Sequence, residues 1–194
     1  MLGHTLAKAL TAALLALFLG RAALADGPST PQVDEELRQL LIKTISESDS
    51  FVDRFDAEVW LVSKSDRLSR FIKDPEKRFN LLRSVHRAAT LAGLQPEVVL
   101  AVIEVESAFD RFAISRAGAL GIMQVMPFWK DEIGRPDDNL IDLETNLRYG
   151  CTILKYYLDR SGGRLAEALA RYNGSYGQYW YPERVMMAWQ NNWR

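Results

Sequence analysis

The sequence is short of the side chains that build disulfides and transition-metal sites. Its 194 residues include one cysteine, Cys151, and two histidines, His4 and His86. A lone cysteine cannot form an internal disulfide, so packing must hold the fold together, and we expect Cys151 to be a small core residue of a helix. Thiolate and imidazole are the usual ligands of zinc. With so few of them, the sequence predicts no metal site.

An excess of charge of either sign is also lacking. Lysine and arginine number 24 against 25 aspartates and glutamates, which gives a net charge of −1. Proteins that bind nucleic acid or a membrane surface usually concentrate positive charge. The composition therefore favours neither partner, and its 48% of hydrophobic residues is ordinary for a globular domain with one core.

Strands are lacking as well, because no stretch alternates convincingly between apolar and polar residues. Apolar residues instead recur at helical spacing from residue 33 to the end, and typical caps mark several helix boundaries. The sequence therefore predicts an all-α (mainly helical) protein. Predicted helices cover residues 33–47, residues 51–72, residues 74–93 after an Asp-Pro-Glu start, a segment opened by Pro96, a long helix from Asp142 to Gly162-Gly163, residues 165–172 and a last helix from Pro182.

The first residues have a pattern of their own. Lys8 precedes an apolar run at 9–19, and Ala-Leu-Ala at 23–25 has the small-residue form of a cleavage site. This layout is typical of a secretory signal peptide, and the run is shorter than the roughly 20 residues that a membrane-spanning helix needs. No cysteine follows the cleavage site, so we expect no lipid anchor there. We predict a signal peptide at 1–25 and an exported, soluble chain of 169 residues without a membrane span.

The helix opened by Pro96 is apolar on nearly every side, yet it carries Glu104 and Glu106. Neither acid has a lysine or arginine three or four residues away, so no ion pair within the helix relieves them. A buried carboxyl group without a cation has a raised pKa, which suits an acid that donates a proton near neutral pH. Alternatively, one of the two pairs with a distant arginine and only braces helices. The pattern alone does not show whether Glu104 or Glu106 is the proton donor and which of them has the structural role.

Three short motifs follow one another along the chain: Glu106-Ser107, Gly-x-x-Gly-Ile-Met-Gln at 118–124 and Ala-Arg-Tyr-Asn-Gly at 170–174. Asn146 and Gly150 add an Asn-x-x-x-Gly pattern between the last two. This ordered set resembles the catalytic domain of lytic transglycosylases of the soluble, Slt-like type. That domain has a lysozyme-like fold related to goose-type lysozyme.

The resemblance extends over roughly residues 81–185 and implies a division of the chain. We expect a signal peptide at 1–25, a linker and N-terminal helical extension at 26–80, and the lysozyme-like catalytic domain at 81–194. The purpose of the extension is open: it either braces the active-site groove or docks a partner.

The resemblance also implies which acid is catalytic. Glu106, which precedes serine, matches the family's catalytic residue, and Glu104 becomes a candidate structural acid. In the family, the acid protonates the glycosidic oxygen between N-acetylmuramic acid and N-acetylglucosamine in peptidoglycan glycan strands. It then takes the proton of the C6 hydroxyl, which attacks C1 and closes a 1,6-anhydro ring. One acid suffices, in contrast to the carboxylate pair of most glycosidases, no cofactor is needed, and the implied location is the periplasm.

Two other functions remain compatible with the sequence. A goose-type muramidase would use the same acid but deliver water in place of the C6 hydroxyl, so it would be a hydrolase. A non-catalytic peptidoglycan-binding component of an envelope assembly would bind the polymer without cleaving it. The second is less favoured, because a mere binder has no evident need of a desolvated acid.

Five further residues take substrate-binding roles by resemblance. Ser115 matches a serine proposed to orient the N-acetyl group. Met123 and Gln124 match residues that line the sugar site. Tyr172 and Asn173 match groups that position the acid and the reacting sugar. For each, a purely structural role is the alternative: a turn, a core position or a helix cap.

The chain departs from the family pattern near its third motif. Arg171 stands where the family commonly has alanine, and Asn173 passes directly to Gly174, which leaves the backbone there open. We hypothesise that Arg171, Arg116 or Arg111 meets carboxylates of peptidoglycan stem peptides, with a solvated surface position as the alternative. Several aromatic residues are either sugar platforms or core, namely Tyr172, Tyr176, Tyr179, Trp180, Tyr181 and Trp129.

Overall fold

The computed structural model describes Trp60 and residues 63–194. The predicted signal peptide, the predicted helix at 33–47 and half of the predicted helix at 51–72 lie outside the described residues. Within the described part, extended structure is limited to two isolated antiparallel bridges, which pair Ile114 with Leu120 and Leu120 with Val125. The prediction of an all-α fold is confirmed.

Six α-helices and a π-helical turn follow one another from residue 75 onward. They are α1 (Pro75–Leu91), α2 (Pro96–Ser107), α3 (Trp129–Ile133), α4 (Leu143–Arg160), α5 (Leu165–Asn173), α6 (Trp180–Ala188) and the π-turn (Trp189–Trp193). A short helical segment at residues 63–68 precedes α1.

The helix starts that the sequence predicted are confirmed for α1, α2 and α4. The Asp74 carboxylate accepts the Lys77 N–H at 3.2 Å at the start of α1. Pro96 stands in the first turn of α2, where a missing N–H leaves no helical bond unmade. Asp142 caps α4 by accepting the Thr145 N–H at 2.9 Å, and this bond is the main reason that the pKa of Asp142 is lowered.

Three features differ from the prediction, and the first is that the helix predicted to reach residue 72 ends at residue 68. Helix α3 was not predicted, because five residues are too few to show a helical period. Helix α6 begins at Trp180, two residues before the predicted start at Pro182. Proline is tolerated throughout the first turn, so its position does not fix the first residue.

Helix α2 lies inside the fold and packs against α1, α6 and the π-turn, while α4 packs against α1 and α5. Six consecutive residues of α2, from Val98 to Ile103, are buried. Cys151 of α4 is 1% exposed, and burial raises the pKa of its thiol to about 12. The prediction that Cys151 is a core residue is confirmed.

Among the described residues, no single helix is long and apolar enough to cross a membrane. By length and composition alone, α2 and the part of α1 from Lys77 meet that requirement together, as a pair bent by 120°.

The residues before α1 contact α2 and the end of the chain. The Trp60 indole N–H donates to Glu97 Oε1 at 2.6 Å, at the start of α2. Lys64 Nζ donates to the Trp193 carbonyl in the π-turn at 2.5 Å. These contacts join the residues before α1 to the start of α2 and to the π-turn, and the role of the predicted extension stays open between bracing the groove and docking a partner. The predicted boundary at residue 80 falls inside α1, and the division of the chain remains a prediction.

Candidate active site

Glu106 lies in the last turn of α2, and it is partly buried. Its Oε1 accepts the hydroxyl of Tyr181 at 2.6 Å. Burial raises the pKa of the Glu106 carboxyl to about 7, against the opposing effects of the Tyr181 hydrogen bond and the positive charge of Arg184. Such a carboxyl group carries its proton in a large fraction of molecules near neutral pH, so it is able to donate one.

Tyr181, which donates this hydrogen bond, is a candidate site residue that the sequence motifs did not single out. It was grouped with aromatic residues expected to be sugar platforms or core, and it is 2% exposed in the first turn of α6. Burial and the neighbouring Glu106 charge hold the pKa of Tyr181 well above the usual tyrosine value, so it remains a hydrogen-bond donor. The sequence offered only a weak indication of this contact, namely an aromatic residue beside the predicted start of the last helix.

Glu104 has surroundings of a different kind. The Asn192 amide lies 2.8 Å from its Oε1, and the Trp193 indole N–H donates to its Oε2 at 2.7 Å. The Arg70 guanidinium stands 3.7 Å from the same carboxylate. Glu104 thus joins α2 to the π-turn and to the segment before α1, which fits the structural role expected from the resemblance.

The loop after α2 is attached to α4 through one amide side chain. Asn146 is 1% exposed, and its Nδ2 donates to the carbonyls of Leu120 and Leu140 at 2.8 and 2.7 Å. Its Oδ1 accepts the Met123 N–H at 2.8 Å. Glycine is required at position 121, next to the Asn146 side chain. A Cβ added to Gly121 would stand 2.4 Å from Asn146 Nδ2, and the backbone of Gly121 has a φ of +73°, which favours glycine. These contacts explain the motif glycine and the motif asparagine by close packing.

Met123 is in the core. Its side chain is 0% exposed, and a Cβ at Gly150 would stand 2.5 Å from its sulfur, so glycine makes room for it there. This burial matches the core position that was the alternative for Met123, and a role in lining the sugar site stays a prediction. The main-chain carbonyl of Met123 accepts the Tyr172 hydroxyl at 2.7 Å.

Tyr172 was expected to position the acid, but the contact with Glu106 belongs to Tyr181. Tyr172 lies near the acid all the same. Burial first, and then the Glu106 charge, raises the pKa of Tyr172 well above its usual value. The structure therefore brings Glu106, Tyr181, Tyr172 and the main chain of Met123 together, and it links Tyr172 to the loop rather than to the carboxyl group.

Gln124 and Ser115 shape the same loop. Gln124 has a left-handed backbone, with φ of +51°, and its Nε2 donates to the carbonyls of Gly121 and Ala113 at 2.9 and 3.1 Å. A left-handed non-glycine residue costs of order 1–3 kcal/mol, and such residues cluster at functional sites. Ser115 Oγ accepts the Ala119 N–H at 2.9 Å and closes a tight turn. Contact of either residue with a sugar stays a prediction.

Asn173 is exposed at the last position of α5, directly after Tyr172. Gly174, with φ of +78°, ends the helix in the left-handed conformation, and the Ser175 N–H donates to the Ala170 carbonyl at 2.8 Å. The direct Asn173-Gly174 step therefore forms an ordinary helix end, which resolves the backbone that the sequence left open. The binding role of Asn173 stays a prediction.

The arginines and aromatic residues near the motifs separate into engaged and exposed groups. Arg171 Nη2 lies 2.9 Å from Glu167 Oε1, and its guanidinium stacks 4.0 Å from the Tyr176 ring, so its charge is already in use. Arg111 stacks on Phe112 at the surface. Trp129 is 6% exposed and belongs to the core. Exposed aromatic residues near the third motif are Tyr176, Tyr179 and Trp180.

Asp110, the nearest further acid along the chain, accepts the Phe112 N–H at 2.9 Å and caps the turn after α2. Ser107, the motif residue after Glu106, has its hydroxyl 2.8 Å from the Ile122 carbonyl and joins α2 to the loop. The motif serine thus fixes the loop beside the acid.

Comparison with known proteins gives a consistent picture. The family model described as "Transglycosylase SLT domain" matches residues 83–186. The chain is 46% identical over 43 residues to a membrane-bound lytic murein transglycosylase C of Actinobacillus pleuropneumoniae serotype 5b (strain L20), which covers 22% of this chain and 12% of the relative. It is 30% identical over 109 residues to the protein of the same name from Yersinia pestis (strain Pestoides F), which covers 48% of this chain and 30% of the relative. The chain therefore matches less than a third of the length of these relatives.

Proposed function

Because this chain belongs to the transglycosylase SLT-domain family, we propose that it is a peptidoglycan lytic transglycosylase. Its reaction would cleave the β-1,4 bond between N-acetylmuramic acid and N-acetylglucosamine and leave a 1,6-anhydromuramoyl end. The observation that carries the proposal is the state of Glu106, a partly buried carboxyl group whose Oε1 accepts the Tyr181 hydroxyl at 2.6 Å and whose pKa is raised to about 7 by desolvation.

Glu106 would act first as an acid. The protonated carboxyl group donates its proton to the glycosidic oxygen while the bond from that oxygen to C1 of the muramoyl sugar breaks. The N-acetylglucosamine side leaves as an alcohol, and C1 becomes positively charged. The substrate's own N-acetyl group is able to stabilise this charge, which accounts for a mechanism with one protein carboxylate in place of two.

Glu106 would then act as a base. Its carboxylate accepts the proton of the C6 hydroxyl, O6 forms a bond to C1, and the acid returns to its starting state without the use of water. The Tyr181 hydroxyl and the charge of Arg184 favour the carboxylate form, so both groups support the intermediate stage. A fixed carboxyl rotamer keeps the same oxygen near both reacting atoms, as catalysis by positioning requires.

The loop residues would shape the sugar site beside the acid. Ser115 and Gln124 hold the two turns of the loop through their side chains, and we propose that their remaining polar atoms meet the N-acetyl and hydroxyl groups of the substrate. Tyr172 fixes the Met123 carbonyl, and Asn173 lies at the adjacent exposed helix end. Together they would form one wall of the sugar site.

We also propose that the chain acts in the periplasm after removal of residues 1–25. This part of the proposal rests on the sequence pattern of a short apolar run and a small-residue cleavage site. Mass spectrometry of the exported protein tests it, because cleavage predicts a mature chain that begins at Asp26.

Digestion of purified sacculi, with mass analysis of the released muropeptides, tests the reaction. Anhydro-ended products support the proposal. Reducing-end products would overturn it in favour of a goose-type muramidase, and the absence of release would favour a non-catalytic binder. Glu106→Gln serves as the inactive control, and Glu104→Gln is the matched control that changes an acid two residues away.

A further inference from the structure

A cleft of about 430 Å³ opens beside α5, between the first turns of the helix and the loop that follows it. Glu167 and Ala170 are among the residues that line it. In a helix with 3.6 residues per turn, both residues point well away from Tyr172, and the Tyr172 hydroxyl reaches the candidate active site. The cleft is therefore separate from the site around Glu106.

Arg164 and Glu167 are the charged residues that line this cleft, and Arg171 stands behind its wall against Tyr176. Glu167 lies between two arginines: Arg164 Nη2 is 2.7 Å from its Oε2, and Arg171 Nη2 is 2.9 Å from its Oε1. One carboxylate thus faces two guanidinium groups. Arg171 also stacks on Tyr176 at 4.0 Å, so the group left to act on a ligand is Arg164.

Arg164 presents an unused edge. Its side chain is 68% exposed. It binds Glu167 through Nε and Nη2, which form one edge of the planar guanidinium group. No acceptor among the described residues is bonded to Nη1. A planar guanidinium with one edge fixed and the other open is well suited to take a carboxylate.

Two tyrosines wall the cleft. Tyr176 and Tyr179 are 61% and 71% exposed. The Arg171 guanidinium holds one of these rings in place, and the loop is tied by the Trp180 indole N–H, which donates to Gln178 Oε1 at 2.9 Å. Aromatic rings with polar rims suit a ligand that is partly aliphatic and partly polar.

We propose that this cleft binds short anionic peptides, with a carboxylate on the open edge of Arg164 and the aliphatic part against Tyr176 and Tyr179. The inference rests on the proposed function, because the anionic peptide in question is the stem that peptidoglycan carries. In this proposal Arg164, and not Arg171, contacts the carboxylates of the stem peptide. A second hold on the polymer, away from the cleaved bond, would raise affinity for peptide-bearing strands over bare glycan.

The test is a titration of the full chain with a synthetic stem peptide whose carboxylates are free, followed by amide chemical shifts. Glu106→Gln is used as the background so that nothing is turned over. Shifts are expected at residues 164–179. Arg164→Gln is expected to weaken binding by about two- to fivefold, the range of an exposed ion pair. Arg83→Gln, which changes an exposed arginine on α1, is the matched control and should leave affinity unchanged.

Several results would overturn the inference: equal binding of the amidated peptide, equal binding by Arg164→Gln, shifts confined to the surroundings of Glu106, or tighter binding of a peptide-free oligosaccharide at the cleft. The sacculus assay keeps this result apart from the proposed function. Anhydro products without peptide binding would overturn only the inference. Peptide binding at 164–179 without lytic products would support the cleft and count against the activity.

Discussion

Glu104 and Glu106 stand two residues apart on α2 and are surrounded by different groups. Glu104 is held by the Asn192 amide, the Trp193 indole and, at 3.7 Å, Arg70. Glu106 receives one phenol hydroxyl at 2.6 Å, and burial raises its pKa to about 7. Side chains two residues apart on a helix point in nearly opposite directions. One helix thus presents one acid to nitrogen donors and the other to the hydroxyl of a buried tyrosine.

The comparison shows that the partners of a carboxyl group decide its role. N–H donors contact both oxygens of Glu104 and a guanidinium stands beside them, so Glu104 is suited to act as an anchor. Glu106 accepts one phenol hydroxyl, and its pKa of about 7 allows it to gain and lose a proton near neutral pH. Substitution of either acid, or of a partner of Glu106, tests this difference between the two carboxyl groups.

The largest expected effect is the loss of lytic activity in Glu106→Gln. Glutamine keeps an oxygen that accepts the Tyr181 hydroxyl, but it has no proton to donate. We expect the rate of anhydro-muropeptide release to fall by about 10³-fold, within the range of general acid–base catalysis, with an unchanged circular dichroism spectrum. Substantial residual turnover in a folded Glu106→Gln protein would show that the catalytic acid is another residue.

The next largest effect is the dependence of the free energy of unfolding on pH that the raised pKa of Glu106 produces. The folded pKa of Glu106 is raised from 4.5 to about 7, so the folded state holds this proton more tightly than the unfolded state. The group's contribution to stability is therefore greatest below pH 4.5 and falls as pH rises through 7, by about 3 kcal/mol at 1.36 kcal/mol per pKa unit.

Glu106→Gln lacks this titration, so its stability relative to the natural chain should rise by about that amount between pH 4.5 and 8. Urea denaturation of both proteins at several pH values measures the difference, in which the other titrating groups cancel. A difference that stays constant with pH would contradict the raised pKa.

Glu104→Gln should have the opposite profile. The new amide group would turn N–H donors toward Asn192 or Trp193, which are themselves donors. We expect the free energy of unfolding to fall by about 2 kcal/mol, the cost of an unsatisfied buried polar group, with turnover per folded molecule kept within a few-fold. Denaturation and sacculus digestion on the same preparation measure both. Severe loss of turnover without loss of stability would mean that the two acids share the chemistry.

The sequence predicted most of the helices because their boundaries are local. Asp74, Pro96 and Asp142 start helices through contacts within one turn, and such contacts can be read from neighbouring residues. The five-residue helix α3 escaped prediction because it is shorter than two helical turns. The all-α class was predictable for the same reason: helical spacing persists over long segments.

The candidate site was predictable only in part. Two acids in an apolar helix pointed to one unusual carboxyl group, and the motif resemblance selected Glu106. The burial of Met123 depends on Gly150, 27 residues away in α4, and the bond from Tyr181 to Glu106 joins residues 75 positions apart. Spacing along the chain does not report contacts of this kind, so the tyrosine that holds the acid had to be found in three dimensions.

The smallest expected effect tests that tyrosine directly. The Tyr181 hydrogen bond lowers the pKa of Glu106, so Tyr181→Phe should raise this pKa and move the alkaline limb of the pH–rate profile to higher pH. It should also weaken the carboxylate form that acts as base, which lowers the maximal rate by about tenfold for a hydrogen bond worth about 1.4 kcal/mol.

Tyr172→Phe is the matched control, because it removes a hydroxyl that donates to the Met123 carbonyl and not to the acid. The alkaline limb of its pH–rate profile should lie at the same pH as in the natural chain. Its maximal rate is allowed to fall, because the loss of this bond loosens the loop. The measurement is kcat/KM against pH for both variants. A shifted limb in Tyr172→Phe together with an unshifted limb in Tyr181→Phe would assign the control of Glu106 to the wrong tyrosine. The contrast with Glu104 would then lose its physical basis, because the phenol donor is half of what distinguishes the two acids.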